Sequence, residues 1–389
     1  MTMGFFAVEK TTWTRVSEIS LNAMTSYLVL ACGTAADNRT STWSVKAIEK
    51  YTGISRDRAK AALTTLKDAG LVTSLRGGAR PRYDMLPKFD HDMTSELGAR
   101  TLRKLRDEDV ELTAEEAEMA TDLTARGLLS KTSSGAVTVL ADAEPDWIWL
   151  PNAIVVGANR TGDDAARKCT PVERVRQTCD PMALKLFVDL YHAQNLTEHG
   201  GISPEVIFRG YDRETIGQRG AYNVYGFSPR SPEIAPHDLT DPHIAWHDDP
   251  ELGIPVPDTT LLFDRLNVLH DLGLIERVTL LMDGDGPEAE ILHPLARMRA
   301  GNTEDTIARA AAAAAGAMLT DPQELRALGL YARLVPAYRH IQNLRMIDIL
   351  RLRHRPHTRR TAQWWAMMQD RARTALEGYQ QMRAQPQDA

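Results

Sequence analysis

Ser44–Val72, SVKAIEKYTGISRDRAKAALTTLKDAGLV, reads as two short helices followed by a strand, with a glycine closing each helix. The first helix spans 44–52 and ends at Gly53. Ser55 then stands at the N-cap of the next helix, where its hydroxyl can accept from a free amide of the first turn. Within 55–68, Ala59, Ala62, Leu63 and Leu66 recur at helical spacing and form the face to be buried. The opposite face carries Asp57, Ala61 and Thr64, flanked by Arg56, Arg58, Lys60 and Thr65. Gly70 ends this helix, because glycine enters the left-handed conformation without a Cβ clash. Leu71 and Val72 then open a strand.

The next turn, Arg76-Gly-Gly-Ala-Arg80-Pro-Arg82, is basic, and Tyr83–Leu86 reads as the return strand. Helix, glycine, strand, turn and strand recur twice more. Leu123–Leu129 leads into a hairpin with Ala136–Leu140. Leu269–Ile275 leads through Asp283-Gly-Asp-Gly286 to Glu290–Leu292. Leu325–Leu330 also fits L-x-x-x-G-L, but a helical pattern and no hairpin is expected after it.

These signals divide the chain into five regions. Residues 1–90 contain the first helix–hairpin module. Residues 91–156 hold a smaller helix-hairpin unit, with a capping box from Thr113 to Glu116. Its end, Pro145–Val156, reads as a buried strand or docking segment. Residues 157–179 form a linker. Residues 180–300 hold the third copy, starting with a helix from Pro181, interrupted by a long loop at 217–257 and resumed by a helix near 258–272. Residues 301–389 read as helical, with Tyr338, Ile341, Leu344, Ile347 and Leu350 giving helical spacing across 335–352. The expected fold is therefore mainly α with small β-hairpin wings.

Charge is segregated along the chain. Residues 1–90 carry 13 Lys and Arg against 8 Asp and Glu, and 296–389 carry 15 against 8. Between them, 91–179 carry 11 against 16 and 180–295 carry 7 against 20. Contact with a polyanion is therefore expected at the two ends, since attraction follows local charge. Arg345–Arg360 concentrates six arginines and two histidines. Arg353, Arg355, Arg359 and Arg360 are the second set of candidate phosphate contacts. Trp364 and Trp365 follow, as core residues or a docking pair.

The run Gly53-Ile54-Ser55-Arg56, Ala59, Ala62-Leu63, Leu66, Gly70-Leu71-Val72 resembles the DNA-binding domains of GntR- and MarR-like winged helix-turn-helix regulators. The resemblance covers about a fifth of the chain, and Glu49 stands where those families place a small alanine. It implies a DNA-reading role for Ser55, Arg56, Arg58 and Lys60, with Thr64 on the same face and Arg76, Arg80 and Arg82 on a wing. Repetition of the module implies tandem winged helices and a C-terminal helical region, a layout similar to plasmid replication initiators. The implied partner is double-stranded DNA, bound by a homodimer acting as a transcriptional regulator of a bacterium or mobile element. A replication initiator binding origin repeats is one alternative. A protein-interaction adaptor is another, and the acidic second module, whose helix near 258–272 has only Arg265 as a cation, suits a protein partner.

Other chemistry is poorly signalled. No nucleotide-binding glycine loop or nucleophile elbow is present, so no enzyme and no cofactor is expected. His243 and His247 are spaced for one helix face and, with His237, Asp248 and Asp249, could ligate a metal; a polar loop is the expected reading. No apolar run approaches the roughly 20 residues of a membrane span. The opening MTMGFFAVEKTTW lacks the pattern of a signal peptide. Cys32, Cys169 and Cys179 lack metal or redox spacing and are expected to be small core residues of a cytoplasmic protein.

Overall fold

The structure, a computed structural model, describes residues 4–35, 38–78, 80–85, 101, 104, 113–125, 129–131, 137–139, 146–157, 169–235, 237–248, 255–284, 289–295, 303–326, 329–355 and 358–384. The chain forms two compact units, residues 1–185 and 186–389.

In the first unit, β1 (Phe5–Glu9) runs into α1 (Lys10–Ser17), whose first turn is capped by the Glu9 carboxylate. Ser20 caps α2 (Leu21–Cys32), in which residues 23–32 are all buried. A helix buried on every side, with Thr25 and Ser26 as the polar residues of its buried stretch, belongs at the centre of its domain. Then follow β2 (Thr40–Ser41), α3 (Val45–Thr52), α4 (Arg56–Asp68), β3 (Thr73–Arg76) and β4 (Arg82–Asp84). The three strands form one sheet in the order β2-β4-β3. Further on lie α5 (Ala114–Ala125) and the hairpin β5 (Leu129–Lys131) and β6 (Val137–Val139). The capping box forms as expected: the Thr113 amide donates to Glu116 at 2.8 Å, and the Glu116 amide to the Thr113 hydroxyl at 3.4 Å. Pro145–Val156 supplies β7 (Trp147–Pro151), which pairs antiparallel with β1, and α6 (Ala153–Val156). Ile148 and Leu150 are buried, whereas Trp149 lies exposed, edge-on to Phe5. The region read as a linker contains α7 (Pro171–Gln177), which packs on α2 and α3.

Next come α8 (Pro181–His192), β8 (Gln194–Asn195), β9 (Gly201–Ile202), β10 (Ile207–Arg219), β11 (Tyr222–Ile234), β12 (Ala245–Asp248) and β13 (Pro255–Asp258). They are followed by α9 (Thr260–Asp271), β14 (Ile275–Met282), β15 (Ile291–Leu295), α10 (Thr303–Met318), α11 (Pro322–Arg326), β16 (Arg333–Tyr338), β17 (Arg345–Leu352) and α12 (Arg359–Ala384). A six-stranded antiparallel sheet, ordered β15-β14-β17-β10-β11-β16, organises the second unit. On one face Val278, Leu280, Ile347 and Ile349 meet Trp364 and Met368 of α12. On the other, Leu281 and Met346 join Ile307, Ala311 and Ala314 of α10.

These observations overturn the mainly α fold with tandem winged helices and a helical C-terminal region. Among the described residues 46% are helical and 29% lie in strands. The third hairpin exists, as β14 and β15, but β14 also pairs with β17 along its whole length, so it is an integral part of a large sheet. Residues 217–257, expected as loop, contribute to β10 and β11 and form the β12–β13 hairpin. Residues 335–352, expected as helix, supply most of β16 and all of β17, two strands separated in the sheet by β10 and β11. The reason lies in burial: Met346–Leu352 is buried at every position. Apolar residues therefore need not alternate, and Ile347 and Leu350 mimic a helical repeat. Leu325–Leu330 likewise leads from α11 into a strand. His243 lies in a 3-10 turn (Asp241–His243) and His247 on β12, so they do not share a helix face. Only Cys32 is buried; Cys169 and Cys179 are exposed. No helix among the described residues is long and apolar enough to cross a membrane.

The core of the second unit holds a histidine in an apolar setting. His293 on β15 is buried, with Nδ1 3.2 Å from the Pro294 carbonyl and Nε2 2.9 Å from the Tyr379 hydroxyl of α12. This pairing suits a neutral ring whose Nδ1–H donates and whose Nε2 accepts. Burial lowers its pKa to about 4. The unfolded chain therefore binds the proton near pH 6.5 and the folded chain only near pH 4. Stability is fully present above pH 6.5 and falls as the pH drops through that window. The expected loss is on the order of 3 kcal/mol. Denaturant unfolding at pH 7.5 and at pH 4.5 measures it; His293→Gln should shrink the pH dependence, and an unchanged dependence would contradict this account.

Candidate nucleic-acid interface

Helix α4 packs on α2 and α3 through Ala59, Ala62, Leu63 and Leu66, the four residues expected from spacing. Gly53 is left-handed (φ 66°) and ends α3, and Gly70 (φ 69°) follows α4. The amides of Leu71 and Val72 turn back to the Leu66 carbonyl at 2.9 and 3.3 Å, which sets the direction of β3. Ser55 occupies the N-cap position in extended conformation, but its side chain makes no capping hydrogen bond. The hydroxyl expected to satisfy an amide thus remains exposed.

Arg56, Arg58, Lys60 and Thr64 are all exposed on α4. Lys60 lies 4.0 Å from Asp57, the limiting distance for an ion pair, and both side chains are well solvated. Arg76, Arg80 and Arg82 are exposed on the β3–β4 hairpin. No carboxylate among the described residues comes within ion-pair distance of Arg56, Arg58, Arg76, Arg80 or Arg82. Arg76 and Arg82 face each other across the strand pair. Like charges placed directly opposite are mildly destabilising without a counter-anion.

The hairpin is anchored on its return strand. Asp84 is buried and takes a bidentate bond from Arg39 at 3.0 and 3.2 Å. The Tyr27 hydroxyl donates to the Met85 carbonyl at 3.1 Å, and Lys67 lies over the Tyr83 ring. By contrast Thr73–Arg76 is exposed throughout. Thr170 ties α7 to this unit by donating to the Tyr51 carbonyl at 3.2 Å. Beside the Glu173 carboxylate, 3.1 Å from where a Cβ on Gly53 would stand, one cation escaped the sequence reading: Arg176, whose guanidinium lies 4.0 Å from the same point. It sits 123 positions along the chain from that glycine, and no local pattern connects the two.

The C-terminal arginines belong to the second unit and divide by environment. Arg353 Nε is 3.8 Å from Glu276, and Arg355 lies over the Trp365 ring at 4.2 Å. Arg351, buried on β17, covers the same indole at 4.6 Å. Trp364 is buried in the core. Arg359 and Arg360 are exposed in the first turn of α12, which holds no acidic residue.

Comparison with protein-family models, curated proteins and solved structures gives no match for this chain.

Gly70 sets the hinge between α4 and the hairpin by its backbone alone, since an added Cβ would meet nothing within 4 Å. Gly70→Val should therefore cost about 1–2 kcal/mol through left-handed strain, and Gly70→Asn clearly less. Denaturant unfolding of the two variants checks this; equal losses would contradict it.

Proposed function

We propose that the chain binds double-stranded DNA through residues 20–90 acting as a winged helix-turn-helix. Helix α4 enters the major groove and the β3–β4 hairpin meets the neighbouring backbone or minor groove. The observation that carries the reading is the shared exposure of Arg56, Arg58 and Lys60 with Arg76, Arg80 and Arg82, on a helix with one buried face and a hairpin anchored by the buried Tyr83 and Asp84 of its return strand. An Arg grips guanine at two points, while Lys, Thr and Ser more often hold phosphates. A phosphate between Arg76 and Arg82 would relieve their repulsion. Residues 55 and 56 stand at the start of α4, the end that enters the groove first in helix-turn-helix docking.

Since β14 and β15 are built into a large sheet, α4 is the one reading helix this proposal assigns to each chain. A short helix reads few base pairs, so specificity favours a homodimer on a palindrome with half-sites about 10 base pairs apart or a multiple. Occupancy of such a site makes the protein a transcriptional regulator, working in the cytoplasm, where exposed thiols such as Cys169 and Cys179 stay reduced. Arg359 and Arg360 are supplementary phosphate contacts in this scheme. Arg353 and Arg355 are engaged inside their own unit.

Selection from random duplexes, followed by binding measurements across salt concentrations, tests the proposal. Replacing Arg80 and Arg82 with alanine should weaken binding to every sequence and flatten the salt dependence by about one counterion per lost phosphate contact. Replacing Arg56 or Lys60 should relax preference at particular base pairs. Duplex affinity unchanged by all four substitutions would remove the assignment.

A further inference from the structure

Two turns face each other at one end of the six-stranded sheet, that between β10 and β11 and that between β16 and β17. The Arg339 amide donates to the Ala221 carbonyl at 2.9 Å, and Tyr222 and Tyr338 are register partners. The rings of Tyr222 and Tyr338 lie 4.7 Å apart, tilted by 37°. The His340 imidazole stacks on Tyr338 at 5.4 Å and 24°. Three rings thus form a column. Tyr338 is 44% exposed on the edge strand, and His340 is exposed in the turn.

A cross-strand tyrosine pair is ordinary sheet packing. His340 is not part of the sheet, and its imidazole has no hydrogen-bond partner among the described residues. Residues 216–223 and 336–345 include Arg219, Arg339 and Arg345 and contain no Asp or Glu. Arg219 is held by Glu324 at 2.7 Å. Arg213 braces the second turn by donating to the carbonyls of Gln342 (2.7 Å) and Leu344 (2.9 Å) while lying over the Tyr225 ring. Arg345 lies over the Phe208 ring at 5.3 Å, which leaves Arg339 as an exposed cation next to the column, and Gln218, Gln342 and Asn343 on the same turns and strand end are also exposed.

We infer that this end of the sheet binds single-stranded nucleic acid, bases stacking on the His340–Tyr338 column and Arg339 meeting the phosphates. Stacking tolerates any base, because each has a π-face. A duplex keeps those faces covered, so the surface selects single strands. The inference does not depend on the N-terminal reading, since every residue it uses lies in the second unit.

The test is fluorescence anisotropy of the full chain with a labelled oligothymidylate and, separately, a labelled duplex. His340→Ala should weaken oligothymidylate binding on the order of tenfold, and His340→Phe should restore it. Arg339→Ala should flatten the salt dependence by about one counterion. Arg56→Ala with Arg58→Ala should leave oligothymidylate binding intact whatever it does to the duplex. His340 and Arg339 are exposed in a turn, and equal melting temperatures would confirm that the variants fold. The inference is overturned if the chain fails to bind oligothymidylate at low salt, if His340→Ala binds as tightly as the parent, or if the Arg56 and Arg58 pair abolishes the binding.

Discussion

A short amphipathic helix has one face to bury, and in α4 that choice orients everything around it. Ala59 and Ala62 are small enough to let the helix approach its neighbours closely, and Leu63 and Leu66 fill the space beside them. Rotating α4 to bury Arg56, Arg58 or Lys60 would bring unpaired charges into the core and expose two leucines. Either change costs several kcal/mol. The cations therefore face water because the apolar stripe cannot. Gly70 carries the constraint onward, since its left-handed turn returns two amides to Leu66 and fixes where β3 begins.

The hairpin shows the same economy of anchoring. Its return strand is held by a buried carboxylate with a bidentate arginine and by a tyrosine hydroxyl on the neighbouring backbone. Buried polar groups of this kind persist only when paired. Among the described residues its outgoing strand makes no comparable contacts, and it carries its arginine on an exposed surface. One edge is thereby tied to α2 and its neighbours while the other is exposed, which suits the groove-fitting role proposed for it.

What could be read from the sequence follows the range of the interactions involved. Gly53, Gly70 and the stripe on α4 are local signals, and they located α3, α4 and the hairpin within a residue or two. The capping box at Thr113 is equally local. The sheet of the second unit is not. In β17 the residues Met346–Leu352 touch neighbours on both sides, so periodicity is lost. Asp348 and Arg351 there look like surface residues, yet both are buried. Asp348 accepts from the Thr279 hydroxyl at 2.6 Å and the Tyr211 hydroxyl at 3.1 Å, groups from two other strands. Burial next to that carboxylate pushes the Tyr211 hydroxyl up to about 12. Only the assembled sheet makes a carboxylate at position 348 acceptable, and no window of sequence contains its partners. Arg176 beside Gly53 is hidden for the same reason.

Arginine content is a weak guide to polyanion contact for a related physical reason. Composition weights Arg351, Arg353, Arg355, Arg359 and Arg360 equally, but their surroundings do not. Two of them enclose the Trp365 indole, where the guanidinium plane serves as packing surface as well as charge. Another sits near Glu276. A guanidinium already desolvated against a ring or neutralised by a carboxylate must give up that contact before it can meet a phosphate. Among the described residues Arg56, Arg58, Arg76, Arg80, Arg82 and Arg339 have no such contact to lose. The distinction that matters is therefore the free energy of each cation in the unbound protein, and it separates the two proposed nucleic-acid surfaces from the most arginine-rich segment of the chain.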